Sequence, residues 1–321
     1  MDTNDCGFRY GFHRVLEPEG VVPQAAWRVN NDLEKLHPTE KIITVNLLNL
    51  DSTSVRQIKE NGERLENKVL EIVRKRGKMH NPVTNSGGVL LGEYKGRPIV
   101  PWVSLSAIPL HLTKIEQVRG QQLDVRGYAV LFESYKFSVV PSGMDWRLAA
   151  TALDIASLAV QVRRIVQDFH YSYKALVIGC GNAGMTAMAT IKKYSPTTKI
   201  FGIDVDDRNF SKIRKFGFTR RLCQVDAAVN AMRVLDFVHN CDLVVNCVNV
   251  PNTEAASVLA ARDGGIVIFF SMATQFDKAS LATDATGKDV TMIVASGIAC
   301  GEDKEIFQLM KDFPDLLTIS H

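Results

Sequence analysis

Residues 175–194 read ALVIGCGNAGMTAMATIKKY, an apolar strand, a glycine-rich turn and a helix in unbroken succession. Each glycine of the turn has a distinct task. Gly179 permits the tight reversal out of the strand. Gly181 removes a side chain where an anion must approach the backbone, and Gly184 lets the helix pack closely on the strand. With Asn182 and Ala183 they open a helix whose first N–H groups and partial positive charge point at a phosphate. G-x-G-x-x-G alone is a weak signal, and a glycine-rich turn of another α/β fold is the competing reading. The strand before it and the helix after it are the context that phosphate binding needs.

Working outward, KIFGID (199–204) is a second strand, and it ends on Asp204, 20 residues past Gly184. A carboxylate there accepts hydrogen bonds from the adenine ribose hydroxyls. It also repels a ribose 2′-phosphate, and Asp206 and Asp207 stand close behind. That favours NAD over NADP, although Arg208 and Arg214 are basic groups of the kind that hold a phosphate. Strands follow at 222–225, 242–248, 265–270 and 290–295, with helices at 209–217, 227–240 and 253–262. A helical region, rich in Ala and Leu, precedes them at 146–169. The alternation implies a Rossmann doubly wound parallel sheet with helices on both faces. Asn246 and Val248 end its fourth strand, where a nicotinamide ribose is commonly approached.

Before residue 150 the pattern differs. KIITVNLLNL (41–50), GGVLLGEY (87–94), GRPIVPWVSL (97–105) and YAVLFESYKFSVVP (128–141) are short apolar stretches broken by Gly, Pro, Asn and Ser, read as strands of a β-rich domain. One charged stretch, 53–76, carries apolar residues at helical intervals. The expected division is a first domain over 1–145, a nucleotide domain over 146–300 and a C-terminal segment, 301–321, packing back toward the first domain.

Bulk properties agree with a soluble, cytoplasmic protein. Of 321 residues 46% are apolar and 23% charged, and 38 basic side chains against 35 acidic ones leave a net charge of +3. That balance gives no footing for nucleic acid or an anionic membrane surface. The N-terminal stretch lacks a signal-peptide core, and the apolar run 264–270 is far below a membrane span. Six cysteines, Cys6, Cys180, Cys223, Cys241, Cys247 and Cys300, contain no C-x-x-C pair, so buried reduced thiols are expected rather than a zinc site or a disulfide framework.

A β-rich first half joined to a C-terminal Rossmann domain resembles the medium-chain dehydrogenase/reductase architecture, in which a GroES-like catalytic domain precedes the nucleotide domain and the nicotinamide lies in the cleft between them. A narrower resemblance rests on GFHRVLEPEGVVPQAAWRVNND (11–32), HNPVTNSGGVLLG (80–92), WVSLSAIPL (102–110), LFES (131–134), ALDIA (152–156), DLVVNCVNVPNTEAAS (242–257) and FFSMATQFDKASL (269–281). These blocks resemble the L-erythro-3,5-diaminohexanoate dehydrogenase family over nearly the whole chain. The resemblance implies an enzyme of lysine fermentation that uses NAD to deaminate (3S,5S)-3,5-diaminohexanoate oxidatively to 5-amino-3-oxohexanoate and ammonia. The superfamily implies a homodimer or homotetramer. The chain departs from pattern at YKGRPIVPW (94–102), where a loop is shortened, and at Asn85, which replaces a turn glycine but tolerates positive φ.

Zinc enzymes of the superfamily place metal ligands where this chain has NLDSTS (49–54) and, at Ser86, NSGG (85–88). His13 and His80 are too scattered to make a site, so no metal is expected. Amine oxidation needs a neutral amine and therefore a positioned base. Asp154, in the apolar stretch ATALDIASLAV, is one candidate, since apolar neighbours raise a carboxyl pKa. Glu133 beside Tyr135 and Asp51 ahead of Ser52-Thr53-Ser54 are the others. Each has a plainer alternative: a helix-surface or anchoring acid, an exposed strand residue, and a helix cap. Arg14 and Glu17 are candidates for the substrate carboxylate and an ammonium, or for a structural ion pair. Thr84 and Ser86 are candidate hydrogen-bond donors near the nicotinamide, or simply satisfy their loop. Two other functions stay open: a zinc-free quinone or enoyl reductase of the same superfamily, and a nucleotide-binding protein that has lost catalysis.

Overall fold

The computed structural model describes residues 8–169, 172–295 and 297–319. Contacts divide the chain into one unit that runs to Asp154 and takes in Ile319, and a second that spans Ile155–Thr318. In the first, β1 (Val15–Glu17) and β2 (Arg28–Val29) form a small antiparallel pair. The strands β3 (Lys41–Asn49), β4 (Val89–Tyr94), β5 (Arg97–Pro101), β6 (Leu110–Arg119), β7 (Gln122–Leu131) and β8 (Phe137–Val139) make an antiparallel sheet in the order β6-β7-β3-β4-β5-β8. Ile43, Val45, Leu48, Leu90 and Leu123 of this sheet bury against one another, and Ile58, Val69 and Ile72 join them from two helices, α1 (Ser52–Glu60) and α2 (Leu65–Arg76).

Those two helices correct the single helix expected over 53–76. The chain breaks at Asn61–Gly62, where Gly62 takes φ +72°, a conformation that ends a helix. The stretch 128–141 also divides, into the end of β7 and the separate β8. Asn85 takes φ +54°, as an asparagine in a glycine's place must.

The helical region 146–169 is two helices, α3 (Trp146–Asp154) and α4 (Ala156–Val166), broken at Ile155. The break coincides with the boundary between units, nine residues later than 145. The reason is chemical. Arg147 gives both carboxylate oxygens of Asp124 a hydrogen bond at 2.6 Å, and Gln122 donates to the carbonyl of Arg147 and to Thr151. These bonds tie α3 to β7 of the first unit.

The second unit contains β9 (Lys174–Ile178), α5 (Asn182–Tyr194), β10 (Lys199–Asp204), α6 (Phe210–Lys215), β11 (Leu222–Gln224), α7 (Ala231–Phe237), β12 (Cys241–Asn246), α8 (Glu254–Ala260), β13 (Ala261–Phe269), α9 (Phe276–Thr286), β14 (Val290–Val294) and α10 (Glu302–Asp312). All six strands are parallel, in the order β11-β10-β9-β12-β13-β14. Counted from β9 this is 3-2-1-4-5-6, the Rossmann order. The six strands expected from sequence are the six observed. Within the C-terminal segment, α10 packs in the second unit, while Ile319 groups with the first. Glu305 of α10 binds Arg163 of α4 and Tyr194 of α5, while Ile306 and Leu309 are buried, so this helix is part of the second unit.

Cys180 and Cys241 are buried thiols, whereas Cys223 and Cys247 are partly exposed and Cys300 is exposed; Cys6 lies outside the described residues. Among the described residues no helix is long and apolar enough to cross a membrane.

Candidate active site

The turn after β9 has the geometry of a dinucleotide cradle. Gly179 takes φ +89°, which a side chain would strain. A Cβ on Gly184 would fall 1.8 Å from the carbonyl oxygen of Gly179, so only glycine lets α5 approach the strand so closely. A Cβ on Gly181 would meet nothing within 4 Å. That open space lies at the N-terminal cap of α5, where the first-turn N–H groups of Asn182, Ala183 and Gly184 have no intrahelical acceptor. Room and donors together fit a pyrophosphate.

Asp204 ends β10 beside this turn. Its Oδ2 accepts from the backbone N–H of Cys180 at 2.6 Å and its Oδ1 from that of Val205 at 2.7 Å. A carboxylate has further lone pairs, so Asp204 keeps acceptor sites beyond these two bonds. Arg208 is engaged by Asp206 through two bonds of 2.9 and 2.7 Å, and the Arg214 guanidinium lies over the Phe210 ring. Val248 reaches the turn, with Cγ2 3.1 Å from the place of a Gly179 Cβ. Two side chains expected at the cofactor have other work. Asn246 is buried, donates to Thr253 and Ser257 and accepts from the Val248 N–H. The Asn182 amide is paired with both the N–H and the carbonyl of Thr318. The polar atoms of both side chains are taken up by the fold.

In the first unit, two of the three candidate acids lie within electrostatic reach of each other. Asp51 caps α1 through the Ser54 N–H at 2.8 Å, and its other oxygen accepts from Ser86 Oγ at 2.8 Å. Ser86, Thr84 and Ser54 then bond to one another at 2.6–3.1 Å, a cluster of three hydroxyls ending on a carboxylate. Asp154, half-buried at the end of α3, accepts from the Asn49 amide at 3.1 Å. Burial pushes the Asp154 carboxyl up to about 7, the charge of Asp51 adds to the rise, and the bond from Asn49 opposes it. No lysine or arginine pairs with Asp154 or Asp51 among the described residues.

The L-erythro-3,5-diaminohexanoate dehydrogenase N-terminal domain model matches residues 13–95 and 94–141. A protein of Fusobacterium nucleatum named L-erythro-3,5-diaminohexanoate dehydrogenase is 37% identical over 317 residues, covering 91% of each chain. One of the same name from Acetoanaerobium sticklandii is 35% identical, covering 95% of this chain and 96% of its own. This chain belongs to that family. It is an oxidoreductase of medium-chain dehydrogenase/reductase fold. For the fold alone, the crystal structure of CurK enoyl reductase aligns with a TM-score of 0.55 at 12% identity, covering 96% of this chain and 90% of that one.

The remaining candidates of the family's first unit stand apart from the acid pair. Glu133 is exposed on the turn after β7, and no hydrogen bond joins it to Asp51 or Asp154. Arg14 is buried and spends all five N–H donors within the fold. It grips both oxygens of Glu40 at 2.7 Å and donates to the carbonyls of Asn30, Asp32 and Lys35. Its ion-pair partner is thus Glu40, not Glu17, which is exposed on β1. His80 is held between Arg76 and Asn85, and burial with its cationic neighbours Lys78 and Arg76 lowers it to about 4. Among the described residues no three His, Cys, Asp or Glu side chains come together as metal ligands.

Sequence reasoning missed Asn49, Gln122 and Ser54. Asn49 carries a signal in retrospect, as a polar residue between Leu48 and Leu50 in the strand that leads into Asp51.

Proposed function

We propose that this chain is an NAD-dependent dehydrogenase that oxidatively deaminates 3,5-diaminohexanoate at C3, giving 5-amino-3-oxohexanoate and ammonium, a step of lysine fermentation. The observation that carries the reading is the pair Asp154 and Asp51, two carboxylates with no paired cation beside a cluster of hydroxyls. The name of the two relatives supplies the substrate.

A substrate with two ammonium groups and one carboxylate suits a site with surplus acid. Ammonium has no lone pair to expel a hydride, so the reacting amine must first lose a proton. Asp154, half-protonated near neutrality, is matched to take that proton and release it to solvent, then to take one from the water that attacks the iminium carbon and return it to the nitrogen as ammonia leaves. Asp51 is held by an N–H and a hydroxyl, and its charge serves the second ammonium. The turn Gly179–Gly184 and Asp204 would hold NAD, which when bound supplies the two-electron acceptor for the C3–H bond. Asp204 also disfavours a ribose 2′-phosphate, and Arg208 is held by Asp206.

Purified protein is expected to produce ammonium and reduced NAD from 3,5-diaminohexanoate in the presence of a chelator. Loss of turnover on chelation overturns the metal-free reading. Tight NAD binding without turnover of any amine favours the lapsed nucleotide-binding protein, and NADPH-dependent reduction of an enoyl or quinone substrate favours the reductase.

A further inference from the structure

We infer that Asn49 and Gln122 form a directional amide relay that positions Asp154, with Gln122 dictating which end of the Asn49 amide faces the carboxylate. The inference rests on the reading of Asp154 as the proton acceptor.

The direction follows from one fixed group. The carbonyl of Arg147 can only accept, so the Gln122 side-chain atom 2.9 Å from it is the NH2 nitrogen. Thr151 Oγ1 donates to the same carbonyl at 2.9 Å, which leaves its lone pairs for that nitrogen at 3.1 Å. The nitrogen also lies 3.0 Å from the Asn49 amide and shares its two hydrogens among the three neighbours; an Asn49 NH2 set against it would be repelled, so Asn49 presents its oxygen, toward which Gln121 Nε2 also points at 3.4 Å. Asn49 Nδ2 is then the atom 3.1 Å from Asp154 Oδ2. Turning Asn49 over would set NH2 against NH2 and a carbonyl against a carboxylate.

Burial enforces the choice. Asn49 is 0% and Gln122 1% exposed, so bulk water does not compensate a flipped amide. Gln122 Oε1 is buried with no partner among the described residues, the cost of keeping the donor end toward Asn49.

A donor that cannot become an acceptor favours the ionised form of Asp154. Desolvation and the charge of Asp51, at the N-terminal cap of α1, act in the opposite sense. Among the charged residues of the neighbouring strands, Arg119 of β6 pairs in register with Gln122, its side chain donating to Gln117 and lying 3.8 Å from Asp124. Asn49 pairs in register with Val89 and Gln122, whereas Lys41 pairs with Leu131, Glu93 with Thr44 and Arg97 with Tyr94, toward the far ends of their strands. On β7 and α3, Asp124 and Arg147 are bound to each other, and Arg126 binds Glu116. Among the described residues, Asn49 is thus the hydrogen-bond donor that favours the carboxylate form of Asp154.

The test follows the pH profile of kcat/KM for 3,5-diaminohexanoate in the parent, Asn49→Leu and Gln122→Met. Asn49→Leu keeps the branched heavy-atom shape and Gln122→Met the length of the chain, and both lose the relay. The acid limb is expected to move up by about one pH unit, or roughly tenfold in rate on the acid side, because one hydrogen bond to a charge is lost. A residue with a merely structural role would lower activity without moving the limb. In the parent, the Asn49 side-chain amide signal in NMR should titrate with the midpoint of that limb, a readout that needs no variant to fold. An unmoved limb in folded variants, or an Asn49 amide that does not titrate, overturns the relay. A limb that persists in Asp154→Asn instead overturns Asp154 as the base.

Discussion

The carbonyl oxygen of Gly179 lies 1.8 Å from where a Cβ on Gly184 would be, so the strand and the helix of the nucleotide turn meet through two glycines. Gly184→Ala is therefore expected to push α5 off β9, lowering the melting temperature and weakening NAD together. Gly181→Ala is expected to behave differently. The added methyl meets no protein atom within 4 Å, so folding is kept while the place for pyrophosphate is filled. Calorimetric titration of NAD alongside thermal melts separates the two. Equal NAD affinity in parent and Gly181→Ala would show that the phosphates bind elsewhere.

Asp204 links the turn to cofactor choice, because the Cys180 N–H and the expected ribose hydroxyls share one carboxylate. Asp204→Asn keeps an acceptor for Cys180 but removes the charge. It is expected to weaken NAD by roughly tenfold or more, the worth of a hydrogen bond to a charged group, and to improve NADP. Asp204→Ala also frees the Cys180 N–H and is expected to weaken both cofactors further. The measurement is the ratio of kcat/KM with NAD to that with NADP. A parent that already prefers NADP contradicts the assignment.

The second unit was legible because its central strands are covered on both faces and so read as plain apolar runs, Leu176–Ile178 and Leu243–Val245 among them. The hairpin β6–β7 was not. Its outer positions carry Lys114, Glu116 and Arg119, all exposed, and register shifts at Thr113 and Glu116 break the alternation by which a strand is recognised. The helix break at Ile155 has neither Gly nor Pro to announce it. Of the side chains that cluster in the candidate site, Asp51, Asp154, Thr84 and Ser86 are legible by residue type. Asn49 and Gln122 meet only through the pairing of β3 with β7, a register that a linear reading does not reveal. Arg14 misled for the same reason: Glu40 stands 26 residues away, while Glu17 is nearby in sequence only.

Arg14 offers a direct check on that correction. With its five donors committed to Glu40 and three backbone carbonyls, it has none left for a substrate carboxylate. Arg14→Ala is expected to cost about 3–5 kcal/mol, since it strands the buried Glu40 carboxylate. Arg14→Lys should recover part of this but not the bidentate grip. In both, the protein that remains folded should keep the parent KM for the diamino acid. A KM raised many-fold with unchanged stability would return Arg14 to the substrate site.

Asp154 is expected to drive activity and stability in opposite directions with pH. Its carboxyl is raised to about 7 in the fold, chiefly by burial and then by Asp51, while an unfolded chain releases that proton near 4. Between the two values the native state holds a proton that the unfolded state has lost. The stability Asp154 contributes is therefore complete below about pH 4 and is lost as pH rises through about 7. Activity runs the other way, because only the carboxylate accepts a proton, so kcat/KM climbs to a plateau above about 7. Asp154→Asn removes both dependences, and its side-chain oxygen can still accept from Asn49. The variant is expected to lose roughly 10²–10⁴-fold in turnover, the span usual for a general base, with NAD affinity unchanged. It should also be more stable than the parent at about pH 8, with the gain shrinking toward about pH 5. Urea unfolding of the two proteins at both values decides the matter. A stability difference that stays constant with pH would mean that Asp154 ionises at its ordinary pKa and is not the poised base.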